Sequence, residues 1–215
     1  MALTEREVWS ARRLGLGFVA LFIVALTVLL GDVVGLFADP AADFPAHFDT
    51  AAERLRHAMG GYALTAAGLA FVGFALRVTN AGTNAAEPSF DAQGARLTAA
   101  AFASLTGLAA SALTTVSLSI AFGQIVGDPG IRRGQEILPQ LGYVVLTVPA
   151  ALSAATSIWL LARVGSRTGV WPRWVSITGY VAAVAQLVSF YTLPLLLLPV
   201  WVLAASVVLR GPQSR

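Results

Sequence analysis

The side chains able to do chemistry in this chain are few, and their spacing limits what they can do. Asp32 stands in Gly31-Asp32-Val33-Val34-Gly35, inside an apolar block. An ionised carboxylate in lipid is costly, so an intramembrane Asp points to a ligand, proton or cation site. Its flanking glycines have the small-xxx-small spacing of a helix contact. The bland alternative is a wet carboxylate near the headgroups, or one paired with Arg54 or Arg56. Asp49, Glu53 and His57 follow at i, i+4 and i+8, with His47 close by. On one helix face these four could hold a divalent metal and serve a metal-dependent membrane enzyme. A local reading competes and is preferred: Thr50-x-x-Glu53 matches a capping box. That box starts a helix about two turns above the membrane and leaves His57 at the interface.

Gln124, Tyr143 and Tyr191, with Glu136 and Gln140, gather on the same side as Asp32. Asp32, Gln124, Tyr143 and Tyr191 therefore form a candidate ligand-binding set in a shallow outward-facing pocket. Ordinary headgroup-level polarity is the competing account. A second pattern recurs every four residues: Gly107, Ser111, Thr115, Ser119 and Gly123. Such a ridge of small side chains lets helix backbones approach and lets hydroxyls bond across helices. Helix packing is the preferred reading, and a polar track for a solute is the alternative. Gly60, Leu64 and Gly68 offer a weaker matching groove.

The elements that must hold these residues follow from composition. Of 215 residues, 57% are hydrophobic and only 12% charged. Soluble domains carry about 25% charged residues, so a water-soluble globule is excluded. Mean hydropathy is +0.75. There is no Cys, and all 14 basic residues are Arg. Disulfides, thiol catalysis, Cys-based zinc sites and lysine Schiff bases are therefore excluded. Two His cannot build a di-haem membrane core. Net charge is +3, but the arginines flank apolar segments singly or in pairs, without interleaved aromatics. They mark topology rather than nucleic acid. No phosphate-binding glycine loop, nucleophile elbow or metalloprotease helix is present, which argues against an enzyme. No cofactor is expected.

The fold class is an all-α, polytopic transmembrane bundle forming one membrane domain over 1–215. Spans are predicted at about 14–37, 58–76, 97–126, 141–162, 174–191 and 194–209. The first is too long for the apolar core of a signal peptide and is read as uncleaved. The last two divide an apolar block of 36 residues, 174–209. That block would be about 54 Å long as one helix, against a hydrocarbon core of about 30 Å. Pro194 supplies the break, Pro199 should kink the second half, and Pro149 should kink span four. With both termini in the cytoplasm, ten arginines lie inside and only Arg54, Arg56, Arg132 and Arg133 outside, as the positive-inside rule requires. Trp171, Trp174 and Trp201 are expected at the interface. The inner segment Arg77–Arg96, with Asn80, Gly82 and Asn84, reads as a mobile loop, and Asp128-Pro129-Gly130 as a turn. Span three is expected to be central, and spans five and six to form a tight hairpin. No inverted repeat is evident.

The C-terminal stretch reads Trp171-Pro172-Arg173-Trp174, an apolar run, Leu195–Pro199, then Trp201 and Ala204-Ala205-Ser206-Val207-Val208-Leu209-Arg210. This resembles a group of multi-spanning membrane proteins of high-GC, actinobacteria-like bacteria that carry a domain of unknown function. Members tend to open the penultimate span with Pro-Arg-Trp and to close the last with Trp-x4-Ser-Val-x-Leu. The lysine-free, Ala/Gly/Val/Arg-rich composition is similar as well. The resemblance implies a six-helix fold in the bacterial inner membrane and assigns no catalytic residue. The leading expectation is a non-enzymatic protein that binds a lipid, a small hydrophobic ligand or a membrane partner, including a second copy. A small transporter or channel subunit using Asp32 is the alternative, and the metal-dependent enzyme a third.

Overall fold

Most of the apolar stretches of the sequence form long helices, and the longest stretch, 174–209, is broken. The computed structural model describes residues 5–38, 50–81, 89–121, 129–191 and 193–209. Within these, the side chains at 30–38, 81, 116, 120–121, 129–136, 189–191 and 193 are outside the description. Every described element is helical: α1 (Glu5–Ala38), α2 (Ala51–Ala81), α3 (Phe90–Ala121), α4 (Pro129–Val145), α5 (Ala151–Thr168), α6 (Arg173–Ala185) and α7 (Leu197–Val207). Four stretches are long and apolar enough to cross a membrane: Glu5–Leu29, Ala51–Asn80, Phe90–Thr115 and Ile137–Thr168. Large apolar side chains also cover the outside. Leu69, Val181, Val184, Val200 and Val207 are each more than half exposed. A surface of that kind suits lipid rather than water.

Several helices begin well before their apolar segments. α3 starts at Phe90, not near Leu97, because Ser89 caps it: Ser89 Oγ accepts the Ala92 N–H at 3.3 Å. A serine at this position satisfies one of the helix's orphan donors. The inner segment expected to be a loop is thus helical at 77–81 and again at 90–96. α4 starts at Pro129, not near Leu141, so Arg132 and Arg133 ride on helix rather than on a turn. Proline suits a first helical position, where its missing N–H is no loss. Hydropathy locates the lipid boundary, whereas caps locate the helix end.

Pro149, expected to kink span four, sits in a π-helical turn, Leu146–Ala150, that joins α4 to α5 as one continuous rod. A residue without N–H cannot close the α-helical ladder, and widening one turn absorbs the gap. The hydroxyls of Thr147 and Ser153 bond the carbonyls of Tyr143 and Pro149 at 2.8 and 2.9 Å.

The C-terminal block is broken, as its length requires. α6 passes into a 3-10 helix, Gln186–Tyr191, with Val188 at φ −110°, ψ 24°. A second 3-10 turn, Leu193–Leu196, leads into α7. Gln186 is buried and donates from Nε2 to the Pro194 carbonyl at 2.7 Å, closing the bend. Pro199 does not kink the last helix. α7 begins at Leu197, so Pro199 falls in its first turn, where no N–H partner is lost.

Each rod packs antiparallel on the next, and α3 lies between α2 and the α4–α5 rod. Gly60 of α2 faces Val28 and Leu29 of α1, while Gly68 faces Thr106 and Ala103 of α3. Gly142 and Gly94 mark where α3 meets α4 and α5. Phe18 and Phe22 of α1, Phe71 of α2 and Phe102 of α3 fill the space inside, with ring centroids 5.1 to 6.4 Å apart. Aromatic pairs of this geometry contribute about 0.5–1.5 kcal/mol each beyond burial. The ring of rods closes where α7 meets α1. Arg12 donates to the Leu209 carbonyl at 2.8 Å, and Ser206 packs directly on Gly15. The start of α1 and the end of α7 therefore lie side by side.

Candidate functional site

Among the described residues, closely paired charges lie at the end of the bundle that holds the start of α1 and the end of α7. Because α3 begins at Phe90, Asp91 occupies its first turn and is buried, with 6% of its surface exposed. Arg163 and Arg167 are one turn apart on α5, so their guanidinium groups reach one point. Arg167 lies 2.5 Å and Arg163 3.5 Å from Asp91 Oδ2. Beside them Arg96 donates to Thr79 Oγ1 at 2.9 Å and to Asn80 Oδ1 at 2.6 Å. Thr79, Ser89, Asp91, Arg167 and Thr168 line a cavity of about 240 Å³ here. The carboxylate is neutralised by two arginines at the helix N-terminus, where negative charge is favoured. The arrangement ties α2, α3 and α5 together.

Sequence reasoning misses this cluster, because Asp91 falls in the segment Arg77–Arg96 that reads as a loop. Two signals were available: Ser89 as an N-cap, and the i, i+4 spacing of Arg163 and Arg167.

At the opposite end, Thr50 and Glu53 form the capping box. Thr50 Oγ1 accepts the Glu53 N–H at 3.2 Å, and Glu53 Oε2 accepts from Thr50 N at 3.2 Å and Oγ1 at 2.8 Å. His57 does not lie on the outer surface of the bundle. It is fully buried against α3, with Nε2 3.1 Å from the Leu113 carbonyl. A carbonyl only accepts, so Nε2 carries the proton. Of the four residues considered for a metal, His47 and Asp49 lie outside the described residues. Glu53 and His57 are committed to separate partners. Among the described residues no group of three or more His, Asp or Glu is assembled.

Asp32 lies on α1, one turn beyond the Val28–Leu29 pair that Gly60 faces. Its side chain and that of Tyr191 are outside the description, as is Gln124 altogether. Tyr143 is half-buried and packs on the apolar core. The four-residue set is thus not brought together among the described residues.

The ridge on α3 sits at the lip of the α2–α3 seam. Ser111 is exposed, Gly107 and Thr115 half-buried, Ser119 buried, and Gly123 outside the described residues. Ser111 and Thr115 bond back to their own helix, to the carbonyls of Gly107 and Ser111 at 2.9 and 2.8 Å. The residues within the seam are offset by one position. Thr106 and Thr114 meet Gly68 and Gly61, and Ala110 lies beside them. Between lip and seam runs a groove of about 200 Å³, lined by Gly61, Tyr62, Thr65, Ser111, Thr114 and Leu118. Tyr62 is 75% exposed, so the groove opens sideways.

Trp171 and Trp201 also point inward rather than to an interface. Trp171 covers Gly165 and donates from Nε1 to Ser176 Oγ at 2.9 Å. Trp201 donates to the Val175 carbonyl at 2.9 Å, and the two rings meet edge to face with centroids 5.8 Å apart. Gly169, at φ +69°, permits the tight turn that brings Trp171 back onto α5. Trp174 remains half exposed.

The chain matches no protein-family model, no curated protein and no solved structure. Function must therefore be argued from the geometry above.

Proposed function

We propose that this is an integral protein of the bacterial cytoplasmic membrane, crossing six times with both termini inside. It acts without catalysis by holding a lipid or small hydrophobic ligand, or a membrane partner, on its outer half. The groove between α2 and α3 carries the proposal. It combines an apolar wall with the Thr65 and Ser111 hydroxyls and the exposed Tyr62 ring, and it opens to the side. Small-molecule sites have that mixture of apolar lining and a few polar groups.

Six crossings are supported by the 3-10 extensions of the short helices. α6 with Gln186–Tyr191 spans about 30 Å, and Leu193–Leu196 with α7 about 24 Å, close to the hydrocarbon thickness. Orientation is supported by charge. Eight described arginines (Arg6, Arg12, Arg13, Arg77, Arg96, Arg163, Arg167 and Arg173) lie on helix ends at one side, against four at the other. That side faces the cytoplasm under the positive-inside rule. The lysine-free composition and the Trp-Pro-Arg-Trp and Trp201–Leu209 motifs support a high-GC bacterial source. The transporter alternative draws less support, because the exposed hydroxyls of α3 lie on the sideways groove and the interior is filled by phenylalanines.

A photoreactive fatty-acid or lipid probe tests the reading. Cross-links should map to α2 and α3 around Tyr62 and Ser111, and Ser111→Trp should abolish most of the labelling. Labelling that is uniform over the bundle and unchanged in Ser111→Trp overturns it. In the same assay, Asp32→Asn, Tyr143→Phe and Tyr191→Phe show whether the outer groove extends to those residues.

A further inference from the structure

A larger groove lies at the arginine-rich end, between the first turns of α1 and the last turns of α2. It measures about 710 Å³ and is lined by Glu5, Arg6, Trp9, Ser10, Arg13, Leu14 and Arg77. Three arginines and one glutamate are among the residues that line it. Among the described residues Arg6, Arg13 and Arg77 form no ion pair. This contrasts with Arg163 and Arg167, which are held by Asp91.

The positions are fixed by local structure. Trp9 and Arg13 are one helical turn apart, and the Arg13 guanidinium stacks on the Trp9 ring at 3.5 Å from its centroid. A stacked guanidinium uses its face for the ring and leaves its N–H edge free to donate. Arg77 comes from α2, held at this height by Leu14 against Gly73. Below Arg13, Gly17 has open space where a side chain would lie. The surface on either side is apolar, with Leu16 and Leu76 exposed. The groove therefore combines arginines with an aromatic ring, and the apolar surface around Gly17 lies next to it on α1.

We infer that this groove binds an anionic glycerophospholipid, its phosphate held between Arg6, Arg13 and Arg77 and one acyl chain lying over Gly17. A free phosphate would use the arginines but not the apolar surface, so the site is assigned to the lipid. Basic pockets between helices on the cytoplasmic side bind anionic headgroups by this chemistry. Glu5 disfavours a headgroup of high negative charge beside it, which suits a phosphodiester. The inference rests on the chain lying in a membrane and is independent of the outer groove.

The purified full-length protein in zwitterionic nanodiscs, doped with brominated phosphatidylglycerol or brominated phosphatidylcholine, tests it through tryptophan quenching. Brominated phosphatidylglycerol should quench at a lipid fraction about tenfold or more below that needed for phosphatidylcholine, on the scale set by three arginines at a membrane surface. Trp9→Phe should remove that selective component. Arg6→Gln/Arg13→Gln/Arg77→Gln should bring the two lipids to parity, and added inorganic phosphate should not compete. Equal quenching by both lipids in the wild type overturns the proposal. So does selectivity retained in Trp9→Phe or in the triple variant, or competition by phosphate at millimolar level. The wild-type and Trp9→Phe arms give the answer even if the triple variant does not fold.

Discussion

The α2–α3 seam and the C-terminal hairpin both bring helices close, by opposite means. In the seam, glycines meet threonines and alanine, and the obstructing atoms include backbone: Gly68 faces the Ala103 Cα as well as Thr106. Around the hairpin, Gly165 of α5 and Gly179 of α6 are covered by the rings of Trp171 and Trp201, each pinned by one indole hydrogen bond. Helices in lipid gain little from hydrophobic burial against each other, so close packing and hydrogen bonds must hold them. The seam supplies packing that cannot yield, and the hairpin supplies packing that can be re-set by moving a side chain.

The largest effect should come from Gly68→Leu. A side chain there meets backbone, so the two helices must part along the seam, with a loss of about 3 kcal/mol or more. Unfolding in mixed micelles checks it, and a loss below that of the hairpin variants would remove the distinction. Gly165→Ala should come next, at about 1–3 kcal/mol, because the Trp171 ring must leave its place. In a double-mutant cycle with Trp171→Leu the two costs should be strongly non-additive, since one ring carries both. Additivity would show that the hairpin is as unyielding as the seam. Trp201→Phe keeps the ring contact and removes the bond to the Val175 carbonyl, for about 1 kcal/mol. Gly107→Leu should be nearly silent, within about 0.5 kcal/mol. Only Thr65 Cγ2, at 3.9 Å, lies near a Cβ there. A large effect at Gly107 would put the α3 ridge back into the seam.

The same comparison explains how much could be read from the sequence. The all-helical bundle, the Pro149 distortion, the Thr50–Glu53 cap and the C-terminal break follow from local rules, and the structure has all four. The ridge at Gly107, Ser111, Thr115 and Ser119 was visible as a spacing, but its facing was not. A four-residue repeat fixes one stripe of a helix, and here the partner presses on the stripe beside it, at Thr106 and Thr114. The tryptophans misled in a related way. Trp171 and Trp201 have the composition of interface anchors, but their indole N–H groups find a serine hydroxyl and a carbonyl within the bundle. Such partners depend on the tight turn at Gly169 and on the hairpin, which no local window contains. Asp91 was hidden by the use of hydropathy to place a helix start. For the candidate outer set, Tyr143 alone has a described side chain, so its assembly stays with the proposed labelling experiment.

The bond from Arg12 to the Leu209 carbonyl joins residues 197 apart in sequence. Synthesis runs from the N-terminus, so α1 emerges long before α7 exists. Until then the Ala11–Gly15 face of α1 has no protein neighbour on the side that Ser206 later fills. Among the described helices, α1, the earliest made, is thus completed by α7, the latest made. A chain stopped after α6 would leave a cleft the width of a helix down one side of the bundle, open to lipid or to any other segment small enough to seat against Gly15.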